Sequence, residues 1–283
     1  MKTALFHIII MLFCFSCTSN PLWNDSYKSE EKLSGKIVLE SMNSDTKTFV
    51  WLEGFDIHTQ TNDQGEFSIV LNDFSKDISG SLNIYYFVHN YILDSTSINF
   101  VNGRLSSNQS QIDNDGSLLE TIYLKKILSC FSNYQSDLNI MESNNPTIDY
   151  AITAHRSASI SQYMFIMGDS INSRSGLIFY NSIDDSKVLH RFSKVNSDGI
   201  LIQDQLYPLD IEISDELTWT YRIDPNQLSL SAGEYEVYPY FKIEHSYLPI
   251  GLVNALGGTN MFEFDEEYLN LPCDMVAASL TVN

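Results

Sequence analysis

Residues 59–71 read TQTNDQGEFSIVL and contain a turn signal followed by a strand signal. Asn62 and Asp63 favour a turn because their side chains hydrogen-bond to nearby backbone, and Gly65 accepts a positive φ angle. After the glycine, every second residue of the run EFSIVL is a large apolar one. That is the period of a strand with one buried face, so the stretch predicts a strand-turn-strand unit.

Most of the other structured stretches also have strand character. Residues 35–40 (GKIVLE), 49–53 (FVWLE) and 82–88 (LNIYYFV) are short and rich in β-branched and aromatic residues, and residues 217–223 alternate apolar with polar. Residues 249–271 have no clean period and leave room for a short helix. Many short strands separated by turn signals predict an all-β chain that forms two tandem antiparallel β-sandwiches.

The domain boundaries follow from composition. Residues 129–145 are rich in Ser and Asn and are followed by a proline, which is typical of a linker. We therefore predict a first sandwich over residues 33–128 and a second over residues 146–283. Ahead of them we predict a signal peptide over residues 1–16 and a tether over residues 17–32.

The first sandwich resembles a carboxypeptidase-regulatory-like domain, which has a transthyretin-like seven-stranded fold. In that family a Gly starts the first strand, a Val-x-Leu strand follows, and a Thr-Asp-x-x-Gly-x-Phe turn leads into the next strand. Here Asn62 is inserted between the Thr and the Asp. The matching positions are Gly35, Val50, Leu52, Thr61, Asp63, Gly65 and Phe67. The resemblance implies a non-catalytic accessory domain of a kind common in secreted and envelope proteins of bacteria.

The second sandwich resembles the immunoglobulin-like architecture. Tyr235 follows the turn residue Gly233 at the start of a strand. This resembles the tyrosine corner of such sandwiches, in which the tyrosine hydroxyl bonds to the corner backbone. The immunoglobulin Cys, Trp, Cys spacing is absent, so the resemblance concerns the architecture alone.

The amino terminus has the organisation of a secretory signal. Lys2 precedes a mostly apolar run over residues 4–15, which is too short to span a bilayer as a helix. The chain then reaches Ser16-Cys17, which resembles the bacterial lipoprotein signal, in which the cysteine after the cut is acylated. Cys14 stands where that family more often has leucine. The resemblance implies that Cys17 carries a lipid anchor.

The amino terminus leaves two alternatives in which Cys17 carries no lipid. One is ordinary cleavage nearby, with the thiol free or disulfide-bonded, and the other is an uncleaved anchor. Thr18 and Ser19 lack the aspartate that marks inner-membrane retention in the enterobacterial lipoprotein family. Their identity therefore favours the outer membrane of a bacterial cell envelope.

The charge of the chain excludes some partners. Sixteen basic and 36 acidic residues give a net charge of −20, and loss of residues 1–16 with Lys2 makes it −21. So acidic a body repels phosphate backbones, and we therefore expect no nucleic-acid partner. Attachment to a membrane would depend on acyl chains and not on a basic surface.

Two cysteines remain if the signal is removed and Cys17 is acylated. Cys130 and Cys273 could form a disulfide in an oxidising envelope, closing a loop of roughly 140 residues that is worth about 4–5 kcal/mol in loop-closure models. They could equally be single buried core residues. Neither has a second Cys or a His at zinc-finger spacing, which argues against a metal site.

The best catalytic candidate is the run FIMGDS at residues 165–170. It resembles the nucleophile block of the GDSL hydrolases, which would make Ser170 the nucleophile. The Gly-x-Asn-Asp and Asp-x-x-His blocks of that family do not follow it. A polar turn after a buried strand explains the run better, so we predict that the chain is not an enzyme.

Histidines and acidic clusters give no metal or cofactor site. The six histidines form no i, i+4 pair and no HExxH motif. His155 and His190 lie near predicted strand edges and are interpreted as solvated surface residues. The glycine of residues 113–116 (DNDG) falls too early for an EF-hand loop, so a hairpin turn is favoured. Residues 265–267 (DEE) are interpreted as a solvated acidic face.

The aromatic residues leave one binding surface open. If the strand near residue 237 buries Tyr235, then Tyr238 and Tyr240 point the other way. Exposed tyrosines can stack on sugars or anchor a protein partner, but they can also cover a second layer or a domain interface.

The predicted function is a non-catalytic, lipid-anchored cell-envelope protein that binds or scaffolds another envelope component. The alternative is a surface glycan-binding lipoprotein that uses the exposed tyrosines, and a GDSL-like hydrolase is third. The expected partners are a membrane through the acyl anchor, an envelope protein and, in the alternative, carbohydrate.

Overall fold

The computed structural model describes thirteen segments of the chain, and strands dominate them. The segments are residues 31–41, 45–55, 57–71, 78–106, 110–132, 138–139, 147–167, 170–173, 176–190, 194–195, 201–202, 205–222 and 229–282. The all-β prediction is confirmed. The predicted signal peptide and Cys17 lie outside the described residues, so lipid attachment stays a prediction.

The first sandwich consists of two sheets. Its strands are β1 (Glu31–Leu39), β2 (Phe49–Leu52), β3 (Ile57–Gln60), β4 (Glu66–Leu71), β5 (Gly80–Phe87), β6 (Asp94–Val101), β7 (Arg104–Leu105) and β8 (Ile122–Leu124). One sheet has the order β4-β1-β8 and the other β3-β2-β5-β6-β7. All neighbours pair antiparallel except β1 and β8, which pair parallel.

The turn before β4 forms as its sequence predicts. Asn62 Oδ1 accepts hydrogen bonds from the backbone N–H groups of Gln64 (3.0 Å) and Glu66 (2.8 Å). Gly65 has a φ of 75°, and a Cβ there would lie 2.2 Å from the carbonyl oxygen of Ile37. Glycine is thus required both by the backbone conformation and by the close approach of β1. Asn62, which stands between Thr61 and Asp63, therefore organises the turn.

The first core fills the space between these two sheets. Alternate residues of β4 are buried, as the alternation predicted. Its buried residues include Leu33, Ile37, Val50, Leu52, Phe67, Ile69, Leu71, Ile84, Tyr86, Tyr91, Ile98 and Phe100. Each sheet supplies one apolar face, so the unit is a sandwich.

The second sandwich follows directly. Its strands are β9 (Leu128–Ser132), β10 (Leu138–Asn139), β11 (Thr147–Ala154), β12 (Ala158–Met167), β13 (Ser170–Ser173), β14 (Leu177–Asn181), β15 (Ser186–His190), β16 (Lys194–Val195), β17 (Leu201–Ile202), β18 (Gln205–Ile211), β19 (Glu216–Arg222), β20 (Gly233–Pro239), β21 (Lys242–Ile243) and β22 (Ala278–Val282). The sheets have the orders β19-β11-β9, β13-β12-β18 with β21 beside β12, β16-β17, and β10-β22-β20-β14-β15. Pairing is antiparallel apart from the short β10–β22 pair.

The second core confirms the predicted tyrosine corner. Tyr235 is buried, and its hydroxyl donates to the backbone carbonyl of Ser231 at 3.0 Å. Tyr150, also buried, donates its hydroxyl to the carbonyl of Val237 and so connects β11 with β20 across the core. These bonds satisfy both phenol groups while their rings fill the interior.

The boundaries of the two sandwiches differ from the predicted ones in the linker and in the tether. Residues 138–139, predicted as linker, form β10 and pair with β22. Residues 129–132, predicted as linker, belong to β9 and pair with β11 of the second sandwich. Two of these four residues are Ser, which favours a loop, but tertiary pairing with a long neighbouring strand overrides that preference. Glu31 and Lys32, predicted as tether, are the first residues of β1 and pair with β4.

A helical segment lies between the two sandwiches. The short helix predicted within residues 249–271 is present as α1 (Ile250–Leu256), and the turns Thr259–Phe262 and Glu266–Asn270 are 3-10 helices. A third core joins this segment to the outer face of the first sandwich. Phe49, Trp51 and Phe87 are the residues of that face in this core. Gly251 permits the contact, because a Cβ there would lie 2.5 Å from the Trp51 ring.

Polar contacts hold the junction beside this third core. Lys126 Nζ lies 2.8 Å from Asp274 Oδ2, and these side chains are only 10% and 12% exposed. The same carboxylate oxygen accepts from the Tyr91 hydroxyl at 2.8 Å. Buried Asn90 donates to the carbonyls of Leu128 (3.1 Å) and Asp274 (2.8 Å) and accepts from the Asp274 backbone N–H at 2.9 Å. We call Asn90, Tyr91, Lys126 and Asp274 the junction network.

A second ion pair borders the junction network. Glu40 accepts from the Arg156 guanidinium at 2.9 and 3.3 Å and from the Lys126 backbone N–H at 2.6 Å. The hydrogen bond from Arg156 holds the pKa of Glu40 below its usual range. The two sandwiches are therefore joined by both apolar and polar contacts.

The substitution Asn90→Ala tests the junction network. It removes three hydrogen bonds and leaves the buried backbone groups of Leu128 and Asp274 without partners, so we expect a loss of about 2–4 kcal/mol in the free energy of unfolding. Urea denaturation measures it. Asn254→Ala, at an exposed position of α1, is the control and should change stability by less than about 0.5 kcal/mol. An equal effect of the two substitutions would contradict a structural role for Asn90.

Candidate functional site

The outer face of the sheet β10-β22-β20-β14-β15 carries the candidate site. The pairings Ile178 with Tyr238 and Tyr180 with Glu236 place these four side chains on one face of β14 and β20. The opposite face, with Phe179 and others, belongs to the second core. At the end near Ile178 the helical segment covers the outer face, since Ile178 is part of the third core. At the end near Tyr180 the face is open.

The two tyrosines predicted as a binding surface have different environments. Tyr240 is fully buried, so its assignment to an exposed surface is wrong. Its hydroxyl donates to the Phe262 carbonyl at 2.9 Å, and its ring centroid lies 4.9 Å from that of Tyr268 and 5.2 Å from that of Phe264. Residues 259–270 therefore cover it, which matches the alternative that these tyrosines pack at a domain interface. Tyr238 is half-buried and borders the open end of the face.

The open end forms a groove of about 670 Å³, which we call the Tyr238 groove. The sheet contributes Tyr180, Glu236 and Tyr238, and the β14–β15 turn contributes Asp185. The remaining lining residues are Asp45, Thr46, Lys187, Leu269, Asn270, Leu271, Cys273, Asp274, Met275, Val276, Ala277 and Ser279. Both sandwiches and the helical segment thus contribute to one concave surface, a common place for ligand binding.

Each tyrosine of the groove is paired with a carboxylate. The Tyr238 hydroxyl donates to Glu236 Oε2 at 2.8 Å. Partial burial and that carboxylate raise the pKa of Tyr238 well above its usual range. A hydrogen bond to the Asp185 carboxylate raises the pKa of Tyr180 in the same direction. Both phenols stay neutral at physiological pH, and each aromatic ring lies beside a negative charge.

The turn that carries Asp185 shows why sequence reasoning missed part of this groove. Asp185 has a φ of 58°, in the left-handed region that Asp tolerates better than most residues. Tyr180 occupies the one half-exposed position of the otherwise buried strand LIFYN. In the sequence, an aromatic residue followed by a DDS turn is only a weak indication of a binding site. Only the pairing of β14 with β20 brings Tyr180 next to Glu236 and Tyr238.

The wall of the groove depends on the junction network. Asp274 borders the groove, but its carboxylate is engaged by Lys126 and Tyr91. The segment that includes Asp274 is further held by a hydrogen bond from the Val276 N–H to the Cys130 carbonyl at 3.2 Å. The position of this wall is therefore set by contacts with both sandwiches.

Cys130 and Cys273 do not form a disulfide in the structure. Cys130 is a core residue of β9, and it is Met275 rather than Cys273 that stands opposite it in a parallel bridge. Burial raises the pKa of Cys130 to about 12 and that of Cys273 well above its usual range. Both thiols are therefore protonated at physiological pH and are poor nucleophiles. Cys130 thus matches the alternative of a single buried core residue, whereas Cys273 is partly buried and packs against the same core.

The predicted catalytic and acidic candidates are separated from this groove. Ser170 begins β13, which pairs with β12 so that Met167 stands opposite Ser170. This strand-to-strand connection differs from the strand-to-helix turn that presents a nucleophile in α/β hydrolases. Asp113 Oδ1 accepts from the N–H groups of Asp115 (2.9 Å) and Ser117 (2.8 Å), which confirms the predicted turn. Residues 265–267 are exposed, as predicted.

The described part of the chain shows neither a metal cluster nor a spanning helix. No group of three or more His, Cys, Asp or Glu side chains in it is placed to hold a metal ion. None of its helices is long and apolar enough to cross a membrane.

Two histidines occupy the third core region instead of the surface. His89 is fully buried, and its ring centroid lies 5.5 Å from that of His245 and 6.2 Å from that of Phe241. His89 Nε2 accepts from the Ile243 N–H at 3.3 Å, whereas His89 Nδ1 and His245 Nε2 are buried without a hydrogen-bond partner. Burial lowers the pKa of His89 well below its usual range and that of His245 to about 4. His155, by contrast, is exposed as predicted.

Comparison with known proteins gives no family for this chain. No protein-family model and no curated protein matches it. Among solved structures, a DUF3823 family protein from Bacteroides ovatus has 12% identity and a TM-score of 0.31, over 76% of this chain and 91% of that one. A Bacteroides uniformis protein provisionally described as carbohydrate-binding has 13% identity and a TM-score of 0.33, over 77% and 91%.

The major pilin subunit BcpA of Bacillus cereus is a third similar structure. It has 10% identity and a TM-score of 0.27, over 75% of this chain and 64% of that one. Similarities at this level assign neither a family nor a function.

The buried histidines predict a loss of stability in mild acid. Their folded-state pKa values lie below the unfolded value of about 6.5, so stability is complete above that pH and falls as the pH drops towards about 4. Between pH 7 and pH 5 we expect a decrease of about 1–2 kcal/mol per ring in the free energy of unfolding. Urea midpoints at pH 7, 6 and 5 measure it.

The substitution His245→Gln isolates one of the two rings. Gln keeps a polar side chain but cannot titrate, so the dependence of stability on pH should weaken by about half. A wild-type stability that stays flat from pH 7 to pH 5 would contradict the burial of neutral histidine.

Proposed function

We propose that this chain is a non-catalytic binding module of the bacterial cell envelope, anchored by lipid at Cys17, and that the Tyr238 groove holds another envelope component. The observation that carries the proposal is this groove, a concave surface with half-exposed aromatic rings at the meeting point of both sandwiches. Aromatic rings with one polar end are enriched at binding surfaces.

The proposed anchor would lie close in sequence to the first strand. If Cys17 is acylated, residues 18–30 separate the lipid from β1, which begins at Glu31. A segment of that length spans at most about 45 Å, even when fully extended. The body would stay close to the membrane and could reach components of the same leaflet. The outer membrane remains the proposed location.

A glycan is the second candidate for the occupant of the groove. The half-exposed positions of Tyr180 and Tyr238 favour it, because aromatic rings stack on sugars. The sequence predicts that Tyr240 contributes to the same surface, but that residue is buried. The hydrolase alternative has no comparable support, since Ser170 begins a strand that pairs with β12.

Mass spectrometry of the mature amino terminus tests the anchor. We expect the chain isolated from its native envelope to begin at Cys17 and to carry the mass of attached acyl chains. An unmodified chain that begins at any other residue would contradict the lipoprotein part of the proposal.

Site-specific photo-crosslinking in the native envelope tests the groove. A photoreactive phenylalanine analogue in place of Tyr238 should give a discrete crosslinked product. The same analogue in place of Tyr123 is the matched control, because Tyr123 is 66% exposed on the first sandwich and does not border the groove. The same products from both positions, or none from position 238, would contradict binding at the groove.

A further inference from the structure

The charge distribution in the Tyr238 groove is asymmetric. Asp45, Asp185 and Glu236 contribute exposed carboxylates, and Lys187 contributes one ammonium group. The fourth acidic residue, Asp274, is already neutralised by Lys126 at 2.8 Å. Among the described residues, the groove charges that form no ion pair are therefore predominantly negative, on a chain whose overall net charge is also strongly negative.

The tyrosines reinforce this asymmetry. The Tyr238 hydroxyl donates to Glu236 Oε2 at 2.8 Å and is committed to that carboxylate, and Asp185 raises the pKa of Tyr180 in the same groove. What remains for a ligand is the π-system of each ring together with the free lone pairs of the two carboxylates. An aromatic ring beside a carboxylate is a favourable site for an organic cation, since the ring quadrupole and the negative charge act in the same direction.

We propose that the Tyr238 groove binds a basic peptide segment of a partner protein, with a Lys or Arg side chain seated beside Tyr238 and Glu236. This inference rests on the proposed function in taking the groove as the binding site. A volume of about 670 Å³ accommodates a few side chains of an extended segment. The acidic body would also accelerate the encounter with a basic partner, and salt would weaken it.

Lys187 is the residue that separates this proposal from sugar binding. It pairs with Tyr180 across β14 and β15 and borders the same groove. Its ammonium group repels a cationic ligand but has little effect on a neutral sugar. Removal of this charge therefore strengthens the binding of a basic peptide, a gain that a stacking site for neutral glycans does not predict.

Isothermal titration of the full mature chain in a neutral detergent tests the proposal. The probes are acetylated tetralysine amide and neutral chitotetraose. Glu236→Gln and Tyr238→Leu should each weaken tetralysine binding about three- to fivefold at low salt, and Lys187→Gln should strengthen it about two- to threefold. Glu120→Gln, an exposed position outside the groove, is the charge-matched control and should change the affinity by less than about 1.5-fold.

The outcomes distinguish the alternatives. Equal effects of Glu236→Gln and Glu120→Gln would mean a diffuse attraction to the acidic surface and would overturn the proposal. Chitotetraose binding that depends on Tyr238, without tetralysine binding, would overturn it in favour of a glycan. If tetralysine binds as expected but the mature chain lacks lipid at Cys17, the anchoring part of the proposed function fails while the basic-peptide site stands.

Discussion

The ion pair between Lys126 and Asp274 is the contact on which the arrangement of this molecule depends. Two opposite charges, each about nine-tenths buried, lie 2.8 Å apart at the junction of the sandwiches. Such charges are costly to bury unless each has a partner and further hydrogen bonds. Tyr91 and Asn90 supply those bonds, one to the Asp274 carboxylate and the other to its backbone. The pair therefore favours one relative position of the two sandwiches over others.

The third core has a complementary role. It brings Trp51 and Phe87 of the first sandwich against α1 and the 3-10 turns, and Tyr240 of the second sandwich packs into the same cluster. Apolar contacts supply most of the free energy of such an interface but little directional preference. The junction network supplies the directional preference for one relative position of the two sandwiches. Because Asp274 belongs both to this network and to the groove wall, the shape of the Tyr238 groove follows from the way the sandwiches are joined.

Local features of the fold could be predicted from the sequence, whereas contacts between distant segments could not. The turn at Gly65 and the corner at Tyr235 each depend on residues within a few positions, and both form as expected. The exposure of Tyr240 depends on residues 259–270, which have no clean periodicity, so the strand alternation alone gave the wrong answer. Residues 129–132, two of which are Ser, form a strand because β11 pairs with them. The burial of His89 could not be predicted for the same reason, because the rings of Phe241 and His245 that pack against it lie about 150 positions later in the sequence.

Differential scanning calorimetry of the mature chain tests most directly whether the two sandwiches form one cooperative body. With the junction network and the third core intact, a single transition is expected, with a calorimetric enthalpy equal to the van't Hoff enthalpy. Two separate transitions, one for each sandwich, would contradict the joint body and with it the fixed shape of the Tyr238 groove.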